Sequence, residues 1–331
     1  MAIGASYFGN RILRHVAADM DALAADGFTG VLHTVSENDL AHYREQMRRI
    51  VEVSHDAGLE VQLGPWGLAG VFGGEAESAW VMRNPARVQE LDDGTRVGAG
   101  CLSDPALRAF VRSWAEAAVE MGADRVFWDE PHWAYPPHFG RSSERWACRC
   151  VHCRNAFAER FGHAMPTAWT EEVQAFREAM LVDFVNEMVA EVDRLGATST
   201  VCLLPLTSGP LGLADWDPVA AAPGLSTLAT DPYWKAFDRP VVPFVSECSA
   251  RVRELAATHD LTPQIWIQGF GLGPDDAHDI EAAVATARQE GITDLWTWGF
   301  EACGHLTGLG TRDPERVWST LRGALTARPD D

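Results

Sequence analysis

The sequence predicts a single (β/α)8 TIM barrel spanning residues 1–331. Three observations carry that expectation. Short β-rich runs alternate with amphipathic stretches along the chain. Most of the longer amphipathic stretches close at a glycine, namely Gly27, Gly58, Gly122, Gly196 and Gly291, where a left-handed residue ends a helix. No linker or low-complexity segment divides the chain, and 331 residues suit one such barrel.

The strands are expected at AIGASYF (2–8), FTGVLHT (28–34), LEVQLGP (59–65), DRVFWDE (124–130), STVCLLP (199–205), STLATDP (226–232), PQIWIQGF (263–270) and TDLWTWGF (293–300). Apolar residues at three- and four-residue steps place helices over 11–25, 39–57, 105–121, 171–195, 244–258, 275–290 and 313–326. An open doubly wound sheet is the alternative, but no G-x-G-x-x-G follows the first strand. Two long loops stand out, over about 66–104 after the third strand and 131–170 after the fourth. Long loops in a compact domain are usually functional, and βα loops build the active face of a barrel.

Composition narrows the function. A net charge of −20 argues against nucleic acid, anionic membranes and highly anionic substrates. The 47% hydrophobic content is enough for a large core. Thirteen Trp against four Tyr is unusual, because a buried indole N–H needs a partner; a flat indole face does suit the C–H face of a sugar ring. MAIGASYFGN has no basic n-region or long apolar h-region, and no stretch approaches the ~20 apolar residues of a span. The expectation is therefore a cytoplasmic protein without an organic cofactor, in which self-association into a homo-oligomer stays open. Seven Cys in clustered spacing point to metal binding rather than disulfides in a reducing compartment.

In a barrel the C-terminal strand ends share one mouth. Here they supply Tyr7, Asn10, His33, Glu37, Trp66, Asp129, Glu130, Asp231, Tyr233, Gln268, Trp298 and Glu301. No H-x-H follows the first strand, no Lys ends a strand and no Gly-rich phosphate loop lies near the last two strands. An amidohydrolase metal centre, Schiff-base chemistry and phosphosugar binding are thereby disfavoured. Carboxylates among aromatic rings suit glycoside chemistry, in which one carboxyl protonates the leaving oxygen. Trp66, Trp133 and Trp298 are the candidate sugar platforms, with His33, Asp129, Tyr233 and Gln268 as further substrate contacts.

The stretch FWDEP resembles the fourth-strand Asn-Glu of clan-A glycoside hydrolases, with Asp129 in place of Asn. That resemblance implies Glu130 as the general acid/base. GCLSDPALRAFVRSWAEAAVEMG before it and ACRCVHCRNAFAERFG after it extend the likeness to the zinc-bearing family 42 β-galactosidases over about residues 100–163. The resemblance implies one zinc held by Cys101, Cys148, Cys150 and Cys153. Four thiolates make a closed tetrahedral site, the usual structural arrangement, and here it would join the two long loops.

The seventh strand departs from that pattern. A retaining enzyme needs Glu there, and this chain offers Gln268. The second carboxylate is expected to be Glu301 or else Asp231. Asp129 is expected to face away from Glu130, because neighbours on a strand point to opposite sides. An inverting pair stands roughly 6.5–9.5 Å apart, leaving room for water, and Glu130 is expected at that separation from its partner. The reading is a glycosidase-like enzyme for a small neutral saccharide. Its alternatives are a sugar-binding pseudoenzyme and a barrel lyase or isomerase using the same carboxylates.

Overall fold

The computed structural model describes residues 2–327. Its barrel strands are β1 (Ala2–Tyr7), β2 (Gly30–Val35), β3 (Glu60–Pro65), β4 (Arg125–Asp129), β5 (Thr198–Leu203), β6 (Leu225–Thr230), β7 (Thr262–Gln268) and β8 (Asp294–Trp298). They form a closed ring in which each strand pairs in parallel with its neighbours, and β1 meets β8 from Ala2–Asp294 to Ala5–Thr297. All eight expected strands form, with ends displaced by at most two residues. The expected helix over 39–57 is two helices, Glu37–His42 and Arg44–Asp56, broken at Tyr43. Ser36 and Asp39 form a capping box that starts the first of them two residues early. No described helix is long and apolar enough to cross a membrane.

Inside the barrel Trp266 and Trp296 fill the lower layers with their rings 5.3 Å apart. Both indoles find acceptors at this depth: Trp296 Nε1 donates to Asp294 Oδ1 at 2.7 Å, and Trp266 Nε1 donates to Gln264 Oε1 at 2.9 Å. Gln264 Nε2 in turn donates to Asp294 Oδ2 at 2.9 Å, so the layer closes as one polar network. Space for Trp296 comes from glycines opposite it. A Cβ on Gly4 would stand 2.2 Å from its ring, and one on Gly30 would stand 2.8 Å away.

The two long loops carry structure of their own. The loop after β3 holds a helix, Ala79–Arg83, and an antiparallel hairpin, Val88–Glu90 with Arg96–Gly100. The hairpin was not legible as strands, because RVGAG lacks alternating apolar residues. The buried carboxylate of Glu37 anchors this loop, accepting from Ala69 N at 3.0 Å, Ser78 Oγ at 2.6 Å and Trp80 N at 2.6 Å. The loop after β4 contributes a helix, Val151–Phe161, and meets the hairpin through the Leu91–Ala147 bridge.

The Gly4–Trp296 contact sets a stability test. Gly4→Ala forces a methyl into a pinned indole, and overpacking of this kind costs about 1–3 kcal/mol. The expected result is a lower urea midpoint with an unchanged m-value. A wild-type midpoint would show that Trp296 can shift without loss.

Candidate active site

Asp129 is the last residue of β4, and Glu130 follows with φ at +42°. A non-glycine residue in this left-handed region is strained, and such strain is concentrated at functional sites. Its geometric effect is direct. In a continued strand the two side chains would face opposite ways; the turn at Glu130 sends both carboxyls into one cavity. Gly73 marks how closely they approach the loop after β3. A Cβ there would stand 2.7 Å from Asp129 Oδ2 and 3.3 Å from Glu130 Oε2. The expectation that Asp129 points away from Glu130 is therefore corrected.

The cavity has a volume of about 600 Å³, in the range of small-molecule sites. Its carboxylates are Glu75, Asp129, Glu130 and Asp231, and its rings include Tyr135, Tyr233, Phe237, Phe270 and Trp298. Among the described residues the lining has no Lys or Arg. Burial raises Asp129 well above the ordinary carboxylate range, and the charges of Glu130 and Glu75 add to it. Burial likewise raises Asp231, reinforced by the charge of Glu130 and by a hydrogen bond with it. Asp231 is 2% exposed, and its Oδ1 has no hydrogen-bond partner among the described residues. Desolvation and mutual repulsion therefore favour the protonated forms of Asp129 and Asp231. Tyr233 is also pushed up, by burial first and then by Asp231.

Other expected site residues lie elsewhere. His33 is fully buried in β2, with a ring nitrogen 2.9 Å from Ser54 Oγ. Burial, with Arg11 second, lowers its pKa to about 3, which keeps the ring neutral; it is a core residue. Trp133 is 2% exposed and donates to the Arg177 carbonyl at 3.2 Å, outside the cavity lining. Trp66 is half-buried beside the lining, with Nε1 donating to Glu75 Oε2 at 3.0 Å, so it orients a carboxylate rather than offering the cavity wall a face. Gln268 ends β7, but its amide is engaged. Its Oε1 accepts from Lys235 N at 3.1 Å and its Nε2 donates to Phe270 O at 3.0 Å.

Glu301 is exposed, in a short turn with φ at +49°, and does not line the cavity. Asp231 does line it, within hydrogen-bonding reach of Glu130. Tyr233 and Trp298 line the cavity as expected. The sequence reading missed Glu75, Tyr135 and Phe270. Phe270 stood inside an expected strand, while Glu75 and Tyr135 lie in long loops whose paths no periodicity reveals.

A second cluster lies where the two long loops meet. Cys101, Cys148, Cys150 and Cys153 are all buried and unbridged, with their sulfurs within 4.8 Å of one another. Cys101 Sγ is 3.3 Å from Cys150 Sγ, 3.6 Å from Cys153 Sγ and 4.0 Å from Cys148 Sγ. Tetrahedral Zn–S bonds near ~2.3 Å imply sulfur separations of about 3.8 Å, so the cluster fits such an ion. Backbone N–H groups of Glu90 and Cys150 point at Cys148 Sγ from 3.5 and 3.4 Å, the arrangement that stabilises a thiolate. The cluster can hold a metal ion.

No protein-family model and no curated protein matches this sequence. Solved structures do resemble the fold. The endo-1,4-β-mannanase of Rhizomucor miehei aligns with a TM-score of 0.63 at 9% identity, covering 99% of this chain and 95% of its own. The endo-β-1,4-mannanase of Thermotoga petrophila gives 0.59 at 8% identity, covering 98% and 77%. A GH5_18 variant from Streptomyces cattleya, solved with Manβ1-4GlcNAc, gives 0.57 at 14% identity, covering 99% and 82%. At these identities the likeness is one of fold: an eight-stranded parallel barrel shared with glycoside hydrolases.

The raised Asp231 carboxyl fixes the sign of a pH effect. In the unfolded chain it ionises near ~3.9. Between that value and its raised folded value, the folded state binds more protons, so its contribution to stability falls as pH rises. Asp231→Asn removes both the titration and the like charge. The variant is expected to be more stable than the parent by about 1–2 kcal/mol at pH 7. The gain should shrink toward zero as pH falls below ~4. Urea unfolding at both pH values measures it, and a less stable variant at pH 7 would overturn the assignment of Asp231 as an uncompensated buried acid.

Proposed function

We propose that the chain is a glycoside hydrolase-like enzyme acting on a small saccharide or glycoside. The observation that carries this reading is the meeting of the Asp129, Glu130 and Asp231 carboxyls in one cavity lined by aromatic rings, where burial raises Asp129 and Asp231. A general acid must hold a proton at neutral pH and yet release it to a leaving oxygen. Glu130 takes that role. Its half-buried side chain lines the cavity, with the buried Asp231 beside it. Asp129 and Glu75 add negative charge where an oxocarbenium-like centre develops positive charge. Tyr233, Phe270 and Trp298 offer faces to the sugar. With an amide at the end of β7, water is the attacking group in this reading: Glu130 gives its proton to the leaving oxygen, and a second lining carboxylate takes the proton that water loses. The solved folds that resemble this one include mannanases, so β-mannosides are among the first substrates to test.

The position of Gln268 favours one second reading, a sugar-binding protein that does not hydrolyse. The carbonyl and amide of Gln268 are bound to backbone, and no carboxylate stands at that strand end. Turnover separates the two readings, since both call for sugar binding.

Zinc is the proposed occupant of the four-cysteine cluster, held by Cys101, Cys148, Cys150 and Cys153. Its role is structural: four protein ligands leave no open position. It would tie the loop after β3 to the loop after β4. Four reduced thiols suit the reducing cytoplasm.

Two outcomes test these assignments. Glu130→Gln should lower kcat by roughly 10²–10⁴-fold on glycosides with poor leaving groups, and by much less on activated aryl glycosides. Equal small losses on both would remove Glu130 from the acid role. Protein purified under reducing conditions without chelator should carry about one zinc per chain, and stripping it should lower Tm. Elemental analysis finding none would exclude zinc.

A further inference from the structure

Beside the carboxylate cavity lies a smaller recess of about 170 Å³, walled by Ser143, Glu144, Trp146, Trp169 and Pro210. Ser143 and Pro210 also line the main cavity, so the two volumes adjoin. The recess is below the ~300 Å³ of an independent ligand site, and its size suits an extension of the cavity by one ring.

Trp169 is 37% exposed, yet it is firmly held. The Arg177 guanidinium stands 4.9 Å from its ring centre, and Trp146 meets it edge-on at 5.8 Å and 74°. Arg177 is itself fixed, 3% exposed, with Nε donating to Ala147 O and Nη2 donating to Pro210 O at 2.7 Å. A buried guanidinium whose hydrogen bonds go to carbonyls is costly to keep. Here it rigidifies one wall: it positions the indole and, through Pro210, the boundary between the two volumes. An indole that is fixed in orientation and left open to solvent beside a sugar-sized recess is a preorganised platform. Glu144 and Ser143 stand at its edge as partners for ring hydroxyls.

We propose that this recess is an outer subsite taking a second sugar ring of the ligand held in the main cavity, with Trp169 as its stacking platform. The inference rests on the glycoside reading and narrows it to disaccharides and longer chains.

The experiment compares binding of glucose with cellobiose, galactose with lactose and mannose with β-1,4-mannobiose by titration calorimetry. In at least one pair the disaccharide is expected to bind the unaltered protein about tenfold more tightly, from the apolar surface the second ring covers on the indole. Trp169→Ala should erase that difference, leave monosaccharide affinity unchanged and leave Tm within a degree or two of the parent. Trp169→Leu, which keeps bulk against Arg177, should behave alike if the aromatic face is what matters. A disaccharide preference that survives both substitutions overturns the subsite. So does an equal loss for both ligands, or no preference in the unaltered protein. Monosaccharide binding without any gain for a second ring rejects the subsite alone, whereas no saccharide binding at all rejects the glycoside reading and the subsite together.

Discussion

Repulsion among desolvated carboxylates is the interaction around which the site is organised. Asp129, Glu130 and Asp231 come from the ends of β4 and β6 and meet in a cavity whose lining has no cationic Lys or Arg among the described residues. In water such groups would ionise independently. In the barrel mouth burial and mutual repulsion favour the protonated forms of Asp129 and Asp231, and Asp231 Oδ1 has no donor among the described residues. That state is unfavourable for folding and useful for chemistry. It is tolerated because the parallel ring beneath it is closed and filled, with Trp266, Trp296, Gln264 and Asp294 forming one satisfied network.

The cluster also depends on backbone that the strands alone do not provide. The left-handed turn at Glu130 converts two adjacent residues from opposite faces of a strand into neighbours in one cavity. That turn is held between two strands of hydrogen bonding: Glu130 N donates to Cys202 O at 3.0 Å, and Gly73 N donates to Asp129 O at 3.0 Å. The second bond joins the site to the loop after β3, and Gly73 is required there because any side chain would strike the carboxyls.

The cavity walls are loops, and loops need fastening. Glu37 fastens the loop after β3 from beneath. The Leu91–Ala147 bridge and the four cysteines fasten that loop to the one after β4. Arg177 extends the same assembly to Pro210, in the loop after β5. The three long loops that line the cavity are therefore connected, and the cysteine cluster sits at the junction rather than at the chemistry.

Sequence alone determined the barrel, since hydrophobic period and helix-ending glycines are local signals repeated along the chain. It also picked out Glu130, Asp231, Tyr233 and Trp298, because the C-terminal ends of the strands of a closed parallel barrel share one mouth. The four cysteines were legible from spacing and resemblance, and the fold brings their sulfurs together. Tertiary structure decided the rest. His33 and Trp133 carry the same local signature as true lining residues, but packing against Ser54 and Arg177 takes them into the interior. Glu301 follows a strand end but turns outward through a left-handed bend, while Glu130 turns inward through another. Glu75 and Phe270 enter the cavity by paths set by long-range contacts. A side chain's direction at a loop depends on φ values and on partners distant in sequence, and neither is encoded in local periodicity.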